Sequence, residues 1–209
     1  MKKNRRCSSF LLSGGCALII AAFAWAGVNV YQDRTAGQSA NRAAVELYLE
    51  TEEMAQNPDE IPDYVDNPEI EMPVTELDGE KYIGMLTISA IGVRLPIIDQ
   101  WNYRNLRIAP CRYSGSAYLD DLVIAAHNYR SHFGRLRQLK IGDEINFTDI
   151  EGNVFHYQVA EVETLPPTAV KEMKSGEWPL TLFTCTAGGQ NRIAVRCEKW
   201  TERMEACRR

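Results

Sequence analysis

Residues 181–196 read TLFTCTAGGQNRIAVR. A β-branched and aromatic run halts at Cys185, a turn containing Gly188 and Gly189 follows, and a second alternating run departs from Arg192. Two such runs joined by a Gly-bearing turn predict a β-hairpin. Period two along the second run puts Ile193, Val195 and Cys197 on one face and Arg192, Ala194 and Arg196 on the other. Cys197 thereby falls with the core side chains. Cys185 lies where strand meets turn, and the hairpin brings Arg192 back beside it. Most cysteines are small hydrophobes, so Cys185 reads two ways here: a buried thiol, or a nucleophile at the lip of a sheet.

The same texture extends upstream. YIGMLTISAIGVRLPII (82–98), punctuated by Gly84, Gly92 and Pro96, predicts two strands, and DLVIAAH (121–127) predicts a compact one ending at His127. IGDEINFTD (141–149) and NVFHYQVAEVETL (153–165) follow, separated by a turn from Asp149 to Gly152. PLTLFTC and NRIAVRCEKW close the set, and HFGRLRQLK (132–140) reads as one helical turn. Seven or eight short strands with few helices predict an all-β sandwich or barrel of about 125 residues.

The N-terminus differs. Lys2, Lys3, Arg5 and Arg6 precede a stretch from Cys7 to Tyr31 without a formal charge. Those 25 residues would span roughly 37 Å as a helix, enough for a hydrocarbon core of about 30 Å. A single-pass anchor is the expected reading, with cleavage after Ala24-Trp25-Ala26 as its rival. Either way the basic tip stays inside and the body lies outside. SANRAAVELYLETEEMAQ (39–56) then predicts an acidic, partly amphipathic helix. The stretch 57–80, with Pro58, Pro62, Pro68, Pro73 and many carboxylates, reads as a solvated spacer rather than a lid over a groove.

Setting aside the four N-terminal basic residues leaves 19 basic against 28 acidic side chains, a formal charge near −9 that argues against nucleic acid as a partner. Cys111, Cys185, Cys197 and Cys207 are too few for a disulfide framework, although one bridge such as Cys111 to Cys197 stays open. No C-x-x-C pair or His/Cys cluster has metal-ligand spacing.

Chemically, the strand ends fit an acyl transfer. A thiol attacks only as thiolate, and a nearby cation lowers its pKa from about 8.5. A histidine such as His127 supplies that charge and then protonates a leaving amine. A guanidinium suits an oxyanion or a substrate carbonyl. Any Cys, His and Arg at strand ends would satisfy this much.

TLFTC followed by an arginine opening the next strand, with VIAAHN upstream, closely resembles the sortases of Gram-positive bacteria. EKYIGMLTISAIGVRLPII, HFGRLRQLKIGDEINF and GNVFHYQVAEVETLPP extend the resemblance, in order, over about residues 82–200. The resemblance implies an eight-stranded sortase-type β-barrel with short helices, and the activity of a cysteine transpeptidase. It makes Cys185 the nucleophile that attacks a Thr-Gly or similar bond of a surface-protein sorting signal, forming a thioacyl enzyme. His127 becomes the acid/base, and Arg192 the holder of substrate and oxyanion. Thr184 would line the oxyanion site, and Asn128 would orient the imidazole. The acyl group would pass to an amine of a cell-wall (peptidoglycan) precursor or a pilin lysine.

His132, in a polar loop, and His156, within a strand, read as structural, and Arg196 is the rival of Arg192. LPPT (165–168) reads as the stiffened start of a substrate-facing loop. Glu161 and Glu163 precede a loop where some relatives bind calcium, but no tight acidic cluster accompanies them, so no cofactor or metal is expected. The acidic stretch has no Asp-Pro-aromatic lid motif, which weakens a pilin-polymerising role. His127-Asn128 and the N-terminal helix lean toward the class B kind. The expected organisation is 1–31, basic tip and membrane anchor; 32–80, acidic helix and Pro-rich stalk; 81–209, catalytic barrel. A peptidase that only hydrolyses, and a non-catalytic membrane-tethered β-domain, are the alternatives.

Overall fold

Short alternating runs become nine strands in the computed structural model, which describes residues 3–54, 62–174 and 177–200. They are β1 (Thr75–Leu77), β2 (Glu80–Ile88), β3 (Val93–Ile98), β4 (Cys111–Ser114), β5 (Leu122–Ala125), β6 (Glu144–Asp149), β7 (Val154–Leu165), β8 (Leu180–Cys185) and β9 (Arg192–Lys199). β2 to β9 close into an eight-stranded barrel in the order β2-β3-β4-β5-β8-β9-β7-β6, with β6 pairing back on β2. β1 is a three-residue addition outside β2. All neighbours are antiparallel except β3–β4 and β5–β8. The all-β barrel expected from the sequence is therefore present, and β4 and β1 are the strands that reading did not single out.

Closure is tightest at Gly84, which pairs with Ile97 of β3 and with Asp149 of β6. Its φ is +152°, and a Cβ there would lie 2.1 Å from the Thr148 carbonyl oxygen, so only glycine fits. Leu86, Ile88, Ile97, Ile124, Phe147, Tyr157, Leu182 and Val195 fill the barrel with at most 1% exposure. Burying each such side chain is worth about 1.5–3 kcal/mol before the entropy of ordering is set against it.

β9 keeps its predicted alternation, but both faces are covered. Ile193, Val195 and Cys197 join the main core, while Ala194 packs with Val123 and Met173 in a smaller cluster. Met173 belongs to α3 (Val170–Met173), a single turn in the β7–β8 connection.

Cys111 and Cys197 are free thiols, each with no exposed surface, so no bridge joins them. Burial pushes the Cys111 thiol up to about 12, and raises Cys197 too. Cys207 lies outside the described residues.

The chain divides into two units, Met1–Thr35 and Ala36–Arg209, and α1 (Lys3–Met54) contributes to both. In the first, Leu18, Ile19, Ile20, Phe23, Trp25 and Val28 are all exposed, a surface that suits lipid and not water. The described stretch Gly14–Leu47 is long and apolar enough to cross a membrane. In the second unit, Ala36, Ala40, Ala43, Ala44 and Leu47 are buried at helical spacing. The apolar span 7–31 and the acidic helix 39–56 were expected as separate elements; both fall within α1 as far as Met54. Val45 is exposed, and Gln56 lies outside the described residues.

The stretch expected as a solvated spacer is seated on the barrel where it is described. Tyr64, within the single turn α2 (Asp63–Asp66), stacks on Tyr118 with ring centroids 4.4 Å apart and planes 9° apart. Met72 is buried in the main core. One aromatic ring and one thioether anchor a segment whose overall composition is that of a linker.

Candidate active site

β5 and β8 run parallel with Ala125 opposite Phe183, and the Ala126 N–H donates to the Phe183 carbonyl at 3.1 Å. His127 and Cys185 each lie two residues beyond this pair. Parallel strands about 4.8 Å apart with side-chain period two therefore present both at one rim and to one side. β8 and β9 are antiparallel, and Cys185 is directly opposite Arg192. Arg192 in turn faces Leu165 of β7. Along the rim the order is His127, Cys185, Arg192, and then Leu165, where the chain leaves into Pro166-Pro167.

The three residues are half-buried and line an open cleft of about 250 Å³. One wall is Pro166, Pro167, Ala169, Val170 and Met173. The other is aromatic. Trp101 meets Tyr103 and Tyr113 at 5.5 and 5.6 Å between centroids, and Tyr113 meets Phe183 edge-on at 5.1 Å. The cleft thus joins an apolar trough to a thiol, an imidazole and a guanidinium.

The imidazole of His127 lies against the Tyr129 ring, centroids 4.8 Å apart. Burial, and secondarily the Arg107 cation, hold its pKa below the ordinary value. The neutral ring is therefore the favoured resting form, suited to accept a proton. The Arg192 guanidinium donates through Nη1 to the Gly189 and Asn191 carbonyls of its own turn at 3.1 and 3.2 Å.

The Thr184 and Asn128 side chains both reach main-chain carbonyls. Thr184 lines the cleft but is itself buried, and its hydroxyl donates to the Ala126 carbonyl at 2.9 Å. Its hydroxyl thus ties β8 to the end of β5. Asn128 does not line the cleft, and its Nδ2 reaches the Thr186 carbonyl at 3.4 Å instead of the imidazole.

The rival residues lie elsewhere. Arg196 is buried and ion-paired to Glu163 at 2.7 Å. His156 is exposed, with Nδ1 2.8 Å from Asn146 Oδ1. His132 has no exposed surface, where a polar loop residue was expected, and its ring lies 5.6 Å from that of Tyr129. Among the described residues no group of three or more His, Cys, Asp or Glu side chains could hold a metal ion.

The aromatic wall was not identified from sequence. Its one signal there is the density of rings at Trp101, Tyr103 and Tyr113. Pro166 and Pro167 do take the cleft-facing position expected of the LPPT stretch.

A family model described as the sortase domain matches residues 86–200. Sortase A of Listeria monocytogenes is 26% identical over 141 residues, covering 61% of this chain and 63% of that protein. Sortase A of Bacillus anthracis is 25% identical over 134 residues, with the same coverages of 61% and 63%. The chain thus spans a little under two thirds of the length of these relatives. The structure of a Clostridium perfringens sortase D5 transpeptidase superposes with a TM-score of 0.55 at 20% identity, covering 74% of this chain and 98% of that one. That likeness is one of fold.

Proposed function

The chain belongs to the sortase family, and on that premise we propose that it is a membrane-anchored cysteine transpeptidase acting on the sorting signals of surface proteins. The observation that carries the reading is the register at the rim. Cys185 faces Arg192 across one strand pair, His127 lies two residues past the end of the next strand, and all three open into one apolar trough.

In this reading the trough holds an extended peptide with its scissile carbonyl over Cys185. Neutral His127 takes the thiol proton as sulfur attacks the carbonyl carbon. Arg192 leaves the carbonyls of its turn and donates to the oxyanion. The tetrahedral adduct collapses, the C–N bond breaks, and the imidazolium protonates the departing amine. A thioacyl enzyme remains. An incoming amine attacks it, His127 takes the amine's proton, and Cys185 leaves as thiolate and regains that proton. The acceptor class is an amine of a peptidoglycan precursor or a pilin lysine.

Four basic residues precede the uncharged stretch 7–31 and favour an inside N-terminus with the barrel outside. The organisation 1–31, 32–80 and 81–209 follows as anchor, connecting segment and catalytic domain. Hydrolysis alone, with water as acceptor, is the second reading, because the same residues would serve it.

Product analysis separates the two. With a sorting-signal peptide and rising amine concentration, the amide product is expected to grow at the expense of the free acid. Free acid alone at every amine concentration would make the protein a peptidase.

Thr184→Val tests the strand lock. Losing one buried hydrogen bond is expected to cost about 1 kcal/mol of stability, and turnover about tenfold as His127 and Cys185 drift. Thermal melting and initial rates measure both. That loss of stability with an unchanged kcat would remove the positioning role.

A further inference from the structure

We propose that Arg196 is a positioning residue that clamps the α3 wall of the cleft and so sets how tightly the peptide is held. The proposal rests on the peptide-binding reading above. Arg192 and Arg196 share one face of β9, yet they are placed for different work. Arg192 lines the cleft, whereas Arg196 is 3% exposed and lies beneath it.

The Arg196 guanidinium donates in three directions. Nε reaches Glu163 Oε1 at 2.7 Å, Nη1 reaches Thr181 Oγ1 at 3.1 Å, and Nη2 reaches the Glu172 carbonyl at 2.8 Å. Glu163 is on β7 and Thr181 on β8; Glu172 is within α3. One side chain thus ties two barrel strands to the backbone of the β7–β8 connection. The planar fork of arginine suits three divergent acceptors, and a lysine could not span them equally. Glu163 supplies the counter-charge that a desolvated guanidinium needs.

What hangs on this clamp is a wall with little stability of its own. α3 has four residues and no side-chain cap at its start, and a single turn does not persist without tertiary contacts. Met173 also holds it, packed on Val123 and Ala194, and Lys174 at its end lies over the Tyr113 ring. Val170 and Met173 line the cleft, as does Ala169 just before them. Cys185 and Arg192 stand on β8 and β9 and His127 just past β5, strands whose ladders do not depend on α3. Releasing Arg196 should therefore loosen the wall and leave the chemistry in place.

Hydrogen exchange by mass spectrometry on the full chain, with peptide kinetics alongside, tests this in Arg196→Lys, Arg196→Met and Thr181→Val. In Arg196→Lys, amides of residues 169–174 should exchange about tenfold faster, while those of β8 and β9 hold. KM should rise about tenfold with kcat within about twofold, the signature of lost binding rather than lost chemistry. Thr181→Val removes one acceptor and should shift both readouts less, in the same direction. Should Arg196→Met fail to fold, Arg196→Lys carries the test. Unchanged exchange at 169–174 overturns the clamp. So does a fall in kcat with KM unchanged, and so does loss of protection across the whole barrel, which would make Arg196 a residue of the fold alone. Exchange is read without substrate. A wild type that turns over no peptide would thus fail the functional reading while the clamp is still decided.

Discussion

Cys185→Ala is expected to abolish turnover, by about 10⁴-fold or more, and to remove every covalent adduct with a sorting-signal peptide. The expectation is firm because no other described barrel thiol can replace it. Cys111 and Cys197 have no exposed surface, and burial raises both thiols well above the ordinary range. A buried, protonated thiol is neither accessible nor nucleophilic. Cys185 is half-buried at the cleft, facing Arg192. Losing one sulfur at a half-exposed rim should cost the fold about 1 kcal/mol or less, so a dead variant should still melt near the wild type. Intact-mass spectrometry with the peptide reads the adduct, and fragmentation assigns it to the segment containing residue 185. Turnover by Cys185→Ala, or an adduct mapped to Cys111 or Cys197, would remove Cys185 from the nucleophile's role.

The parts of this site carried by local pattern were readable before the structure. Period two and a Gly-bearing turn gave the 181–196 hairpin, and with it Arg192 beside Cys185. The apolar run before His127 gave β5. The parts that depend on distant segments were not readable. β4 is only Cys111-Arg112-Tyr113-Ser114 and has no clear alternation; its pairing with β3 is parallel and joins a single residue pair. Trp101 and Tyr103 come from a connection without a motif and meet Tyr113, on β4, and so Phe183, only in space. Thr184 sits in the motif, but whether its hydroxyl faces a substrate or a neighbouring strand depends on Ala126, 58 residues away. Proline and carboxylates marked 57–80 as a spacer, because composition does not register that Tyr64 finds Tyr118 to stack on. Arg196 was visible as a rival to Arg192 by alternation alone. Its separate place follows from acceptors on β7, β8 and α3 that no local pattern announces.

His127→Ala should lower kcat/KM by about 10² to 10⁴-fold, the usual scale for a positioned proton-transfer group. It should also change the shape of the pH profile. In the wild type, burial first and the Arg107 cation second hold the imidazole below its ordinary value of 6.5. The proton-accepting form therefore persists below that pH, and the acid limb of kcat/KM should fall below 6.5. An NMR titration of the ring should give the same midpoint. Arg107→Ala removes the smaller cause, so the midpoint should rise yet stay below 6.5 while the burial remains. The linkage to folding has a definite sign. As pH drops below 6.5 the unfolded chain takes up a proton that folded His127 resists, so stability is lost as pH falls through the lowered value. In His127→Ala that limb should vanish from both profiles. A wild-type midpoint above 6.5 would contradict the buried, cation-flanked setting. An alanine variant that kept the acid limb would assign the titration to another group and leave Cys185 without its base.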